Sequence, residues 1–336
     1  MNKNKGFTIH IFLAFFVLII CFALSLLFGA QKISTENAKL LISLRLPRAI
    51  LATLSGILLA GSGVCFQMYF RNPLAEPGII GISSGATLGA VIAQSFGVNL
   101  IIFKTISPIN IAAFFAAILS GLLVTFLASK EKKGSAAVIL LCGTALGTFY
   151  SSISSIILLT KTRELHGIYS WILGSFNGRG WTELKFIIFP SAFSMILFFL
   201  CANKLSLMAG GENSARSLGL NTSNLKLEIL IAVSFAVSSS VCAGGTINFV
   251  GLIAPHIARK VYKTKTSKGT FFMAISMLYG AILLLLSDIF ARVLIAPAEF
   301  PAGLITSLLG APFFISLVFS PDSKKQTKQR EENIDE

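Results

Sequence analysis

Residues 70–86 read FRNPLAEPGIIGISSGA and separate two runs apolar enough to lie in lipid. Pro73 and Pro77 forbid helix continuation and push the residues before them toward extended backbone, so the chain must break here. Gly81, Ser83, Ser84, Gly85 and Ala86 follow, small residues that let the next helix approach its neighbours closely. A helix, an obligatory break and a tightly packed helix, all in an apolar setting, mark a polytopic membrane protein. Two readings of the break stand side by side: a packing turn, or a lining of a path through the protein.

The composition outside this stretch agrees. Of 336 residues 54% are hydrophobic and 12% charged, and the mean hydropathy is +0.80, far from the usage of soluble domains. A span needs about 20 apolar residues, so the chain holds about ten spans and no sizeable soluble domain. Apolar windows place them at 7–28, 49–69, 79–98, 109–128, 136–159, 184–202, 227–243, 248–261, 270–290 and 301–319. The first follows Lys3 and Lys5 like a signal peptide, but its length and the lack of a small-x-small cleavage site make it a retained span.

An even number of spans puts both termini on one side, and 18 of the 28 Lys and Arg residues fall there. The positive-inside rule then makes that side the cytoplasm. Tails 1–6 and 321–336, the break at 70–81 and the loop 203–226 face inward, while Arg45 and Arg48 face outward at the head of the second span. The net charge of +14 is a topology signal and an attraction for anionic lipid. It calls for no nucleic acid.

An internal echo is present. ILLAGSGVCFQMYFRNPLAEPG (57–78) and SSVCAGGTINFVGLIAPHIAR (239–259) each show an apolar helix ending in a glycine-rich turn, an aromatic-containing stretch and a proline. By the span count the first reaches its break inside and the second outside. Inverted repeats with Gly/Pro-interrupted helices are a transporter signature.

Several chemistries are missing. No G-x-x-x-x-G-K-[ST] occurs, so ATP hydrolysis by a P-loop is excluded, and no G-x-S-x-G elbow occurs. His10, His166 and His256 lie apart from any carboxylate or cysteine at ligand spacing, and the five cysteines sit singly in apolar runs; neither a metal site nor a disulfide framework is indicated. Pro255-His256 reads as a break with a capping or packing histidine. Glu228, Asp288, Arg292 and Glu299 all lie near span ends, where snorkelling or local pairing suffices. No proton relay is visible in mid-span, which counts against a proton-driven carrier, and no enzyme chemistry or cofactor is indicated; energy for transport has to come from elsewhere.

Eight stretches together resemble the FecCD-type permeases, the membrane subunits of ABC importers for iron-siderophores, haem and cobalamin: RLPRAILATLSGILLAGSG (45–63), RNPLAEPGIIGISSGATLG (71–89), GTALG (143–147), WILGSF (171–176), GENSARSLGL (211–220), GGTINFVGLIAPHIAR (244–259), SDIFAR (287–292) and PAEFPAGLITSLLGAPFFISLV (297–318). The resemblance implies an all-α permease domain over 1–336, ten helices in inverted repeats like the cobalamin-importer permease, in a bacterial inner membrane with both termini cytoplasmic. It also implies partners: a second permease subunit, identical or not, two cytoplasmic P-loop ATPase subunits, and a substrate-binding protein outside. A secondary transporter with inverted repeats and a permease for small metal ions are the alternatives.

The same resemblance assigns roles. Arg45, Arg48 and Arg292 match the arginines that pair with glutamates of the binding protein, although Asp288 also stands four residues before Arg292 in the order that favours a helix pair. Gly211, Glu212, Arg216, Leu218 and Gly219 match the coupling element that inserts into the ATPase, read from the residues as a short helix from Glu212 to Leu218 stopped by Gly219. Arg216 is expected to meet a carboxylate of the ATPase. The translocation path and gate fall on Ser83, Ser84, Ser135, Ala136 and Ala137.

Overall fold

The computed structural model describes residues 3–29, 39, 41–96, 107–130, 136–160, 165–261 and 269–319. Among them twelve α-helices occur and no strand: α1 (Lys3–Leu27), α2 (Leu46–Tyr69), α3 (Ile82–Ser95), α4 (Pro108–Ser129), α5 (Ala136–Thr160), α6 (Leu165–Ile172), α7 (Trp181–Met208), α8 (Glu212–Ser217), α9 (Thr222–Gly244), α10 (Val250–Val261), α11 (Gly269–Val293) and α12 (Ala302–Val318). Each expected span coincides with one helix. Seven are long and apolar enough to cross a membrane; α3, α10 and α12 are shorter, at 14, 12 and 17 residues. Helices α6 and α8 lie outside the expected spans.

Side-chain contacts fix the direction of each helix. Arg45 donates from Nη1 to the Leu26 and Leu27 carbonyls, both 2.9 Å, placing the end of α1 beside the start of α2. Trp181 Nε1 donates to the Ile42 carbonyl at 3.1 Å, so α7 starts at that end too. The other end of α2 lies by α8, where a side chain on Gly211 would come within 3.5 Å of Arg71 Nη1. We call these the arginine end and the knob end. α1 begins and α12 finishes at the knob end.

α2 is buried nearly all round and packs against α7, α9, α10 and α11. Glycine makes this possible. A Cβ on Gly56 would fall on the Gly280 carbonyl and one on Gly280 on the Gly56 carbonyl, while a Cβ on Gly63 would fall on the carbonyl of Gly251. Backbone therefore touches backbone at two points along α2. Buried serines of the same core, including Ser62, Ser234, Ser238 and Ser276, donate to carbonyls four residues back, so their polarity stays within their own helix.

The two echoing segments meet. α2 does not end at its glycine-rich 60–63 as the echo suggests but continues to Tyr69, because nothing before Pro73 interrupts its backbone ladder. α9 does end at Gly244, where Gly245 takes φ +72. The first break leaves the knob end, with Arg71 at φ +52 and Asn72 Oδ1 accepting from Leu74 N at 3.0 Å. The second leaves the arginine end, where Gly245 N is held by the Val241 carbonyl and the Thr246 hydroxyl donates to the Ile172 carbonyl. Between them the Glu76 carboxylate accepts from Phe249 N, and a Cβ on Gly251 would come within 2.9 Å of the Leu59 carbonyl and 3.0 Å of Pro77. From this meeting point α3 runs to the arginine end and α10 to the knob end, roughly 21 and 18 Å long at 1.5 Å per residue. Two half-length helices pointing opposite ways from a central crossing is the geometry of an inverted pair.

Candidate functional site

The break of 70–86 forms one wall of an open groove of about 450 Å³. Gly78, Gly81 and Ser84 line it on one side, Gly143, Thr144, Gly147, Thr148 and Ser151 of α5 on the other. Gly81 has φ +76, a conformation that side chains rarely adopt. Its carbonyl accepts from Gly85 N at 2.9 Å and from Ser120 Oγ at 3.0 Å, so the head of α3 is held against α4. Of the residues expected on the path, Ser84 lines the groove. Ser83 does not, and its carbonyl accepts from Thr87 Oγ1 at 3.0 Å. Ser135 and the side chains of Ala136 and Ala137 lie outside the described residues.

The hydroxyl face of α5 was not anticipated. Thr144, Thr148, Ser152 and Ser155 are exposed and donate to carbonyls three or four residues back, over 2.9 to 3.1 Å. With their protons so engaged they turn only oxygen lone pairs outward, a polar but weakly binding surface. The recurrence of Thr and Ser at helical spacing was the available signal.

At the knob end the expected short helix is present. α8 spans six residues, with Gly211 at φ +103 before it and Gly219 at φ +83 after Leu218, which is 69% exposed. Within the chain, Arg216 Nη2 bonds Glu212 Oε1 at 2.7 Å, and its Nε donates to Thr222 Oγ1 at 3.1 Å. The i, i+4 spacing within α8 brings the two charges together before any partner does.

At the arginine end two of the three arginines are buried in ion pairs. Arg48 is only 9% exposed. Its Nε and Nη2 donate to Asp288 Oδ1 at 3.1 and 2.9 Å, and its Nη1 donates to Glu299 Oε2 at 2.8 Å. Arg292, 3% exposed, pairs with Asp288 at 3.1 Å and donates to the Ser25 and Phe28 carbonyls, both 3.0 Å, and to Ser25 Oγ at 2.8 Å. Arg48 and Arg292 therefore fasten α1, α2 and α11 together and do not present their charge outward. The reason is chemical: Asp288 is fully buried, and two guanidiniums compensate it. Arg45 is the half-exposed member of the three.

Glu76 was also overlooked, because its partner lies 173 residues away. His256 packs edge-on against Phe313, with ring centroids 5.4 Å apart. Lys204 pairs with Glu228 at 2.7 Å, the local pairing expected near a span end. Among the described residues no three His, Cys, Asp or Glu side chains are grouped to hold a metal ion.

Comparison with known proteins adds to this geometry. The FecCD transport family matches residues 7–320. A "probable iron chelatin transport system permease protein" of Helicobacter pylori is 35% identical, over 93% of this chain and 98% of its own length. The vitamin B12 import system permease protein of Vibrio parahaemolyticus is 32% identical, over 96% and 98%. A solved chain described as a metal-chelate type ABC transporter, inward-facing, superposes with a TM-score of 0.82 at 29% identity, covering 94% of this chain and 99% of that one.

Proposed function

Since the chain belongs to the FecCD transport family, we propose that it is the membrane-spanning permease of a binding-protein-dependent ABC importer for a ferric chelate, haem or cobalamin. The observation that carries this reading is the groove between the 70–86 break and α5. Its glycines and hydroxyls offer width and weak polarity without a fixed charge or a set of metal ligands. Such a surface suits a bulky polar cargo that has to leave as readily as it enters.

The knob end faces the cytoplasm in this reading, consistent with the basic residues around it. α8, with exposed Leu218 and the turn at Gly219, enters a groove on a P-loop ATPase, which supplies the energy. The substrate-binding protein meets the opposite end, where Arg45 offers the accessible charge. A second permease subunit covers the groove and the exposed flank of α5.

Reconstitution tests this. Proteoliposomes holding the chain alone should hydrolyse no ATP, and uptake of labelled ferric siderophore, haem or cobalamin should appear only with a P-loop ATPase and a binding protein added. Uptake by the chain alone, driven by an ion gradient, would assign it instead to secondary transport.

A further inference from the structure

A second cavity lies at the arginine end. It measures about 260 Å³ and is bounded by Gln94 of α3, Ser107 at the head of α4, Trp171 of α6, and Ser175, Asn177 and Arg179 of the loop into α7. The loop builds a concave polar wall. Ser175 Oγ accepts from Asn177 N at 3.2 Å, Gly178 takes φ +71, and Arg179 N donates to the Phe176 carbonyl at 3.2 Å. This turn brings the Arg179 side chain to the cavity.

Arg179 is the unusual feature. Its Nε is buried without a hydrogen-bond partner, and its guanidinium forms no ion pair among the described residues. The nearest candidate, Glu183, is occupied: Oε2 accepts from Gly180 N at 2.9 Å and Oε1 from Asn110 Nδ2 at 3.4 Å, while Asn110 Oδ1 accepts from Trp171 Nε1 at 3.3 Å. Burial pulls the pKa of Arg179 below the usual arginine value, and the charge of Glu183 offsets this in part. A partly buried guanidinium whose Nε bonds to nothing in the protein is costly, and its planar fork matches a carboxylate or phosphate group.

We propose that this cavity binds a small oxyanion, a phosphate or carboxylate group, held by Arg179 with Ser175 and Asn177 beside it. The volume suits one such group, since it lies below that of pockets for drug-sized ligands, roughly 300 to 1,000 Å³. A lipid headgroup and a free anion present the same chemistry.

The chain carries two tryptophans, Trp171 and Trp181, so Trp181→Phe leaves a single reporter on the cavity wall. In detergent, sodium phosphate should change Trp171 emission saturably and raise the melting temperature, whereas sodium chloride at equal ionic strength should not. Arg179→Lys should weaken binding about tenfold. Arg179→Gln should abolish the response while the subunit still folds, because the side chain makes no protein bond to lose. In phosphatidylcholine nanodiscs without added anion, emission already at the phosphate-saturated value and lost in Arg179→Gln would identify a lipid headgroup; emission that moves only on adding phosphate would identify a free anion. No saturable response in either medium, or the same response in Arg179→Gln or with chloride, overturns the proposal.

Discussion

Two ion pairs share one spacing and one order and differ in everything else. Asp288 and Arg292 close the arginine end of α11; Glu212 and Arg216 form α8 at the knob end. In each, the acid precedes the arginine by four residues, and the second pair is shorter, 2.7 Å against 3.1 Å. Yet the side chains of the first are 0% and 3% exposed, and those of the second 39% and 55%. Water screens the exposed pair and supplies alternative partners, so its short contact contributes little. The buried pair has no water to turn to, and Asp288 also carries Arg48 of α2, while Arg292 reaches back to Ser25 of α1. Separation in space is a poor guide to strength here; what surrounds the charges decides it. One pair behaves as a fastening, the other as a contact free to change partner.

Removing the shared carboxylate should strain this contrast most. Asp288→Asn leaves two buried guanidiniums with less negative charge between them, and unfolding measured in detergent should show a loss of about 3 to 5 kcal/mol. A loss under about 1 kcal/mol would reduce the cluster to an ordinary surface pair. Ser25→Ala, which deletes the hydrogen bond from the charged Arg292 of α11 to α1, should cost about 1.5 to 3 kcal/mol by the same measurement. Coupling between Ser25→Ala and Arg292→Met in a double-mutant cycle would confirm that Arg292 transmits the effect. Glu212→Gln should be smallest in stability, about 0.3 to 0.5 kcal/mol and vanishing at high salt. Its effect on ATPase-driven uptake should nevertheless be large if α8 is the coupling element. Equal stability losses at both ends would erase the distinction.

The sequence made the helices legible and left the pairings hidden. Apolar length placed the ten spans, Pro73 and Pro77 announced the first break, and Gly219 announced the end of the knob, since each acts through its own neighbouring backbone. Helix α6 escaped notice because eight residues carry no span-length signal. Periodicity treats Asp288–Arg292 and Glu212–Arg216 alike, because spacing along a helix does not encode what the helix is buried against. Arg48 with Asp288 spans 240 positions and Glu76 with Phe249 spans 173. Such contacts depend on how α2, α10 and α11 cross, which no local pattern states. The burial of Arg48 and Arg292 was hidden for the same reason: span count and motif place the residue along the chain and leave its surroundings open.

The glycine contacts of α2 bear on movement. Where Gly56 meets Gly280 and Gly63 meets Gly251, no side-chain layer lies between backbones to act as a bearing. A sliding displacement there would drive a carbonyl into the opposing chain, and small shifts across such close packing are resisted until a whole turn can be exchanged. α2, α10 and α11 are therefore expected to keep fixed distances from one another, as the stator of a machine does. α5, only 22% buried within its own chain, is expected to be the part that moves against them. Spin labels on α2 and α11 should hold one distance in every nucleotide state, while labels on α5 change theirs.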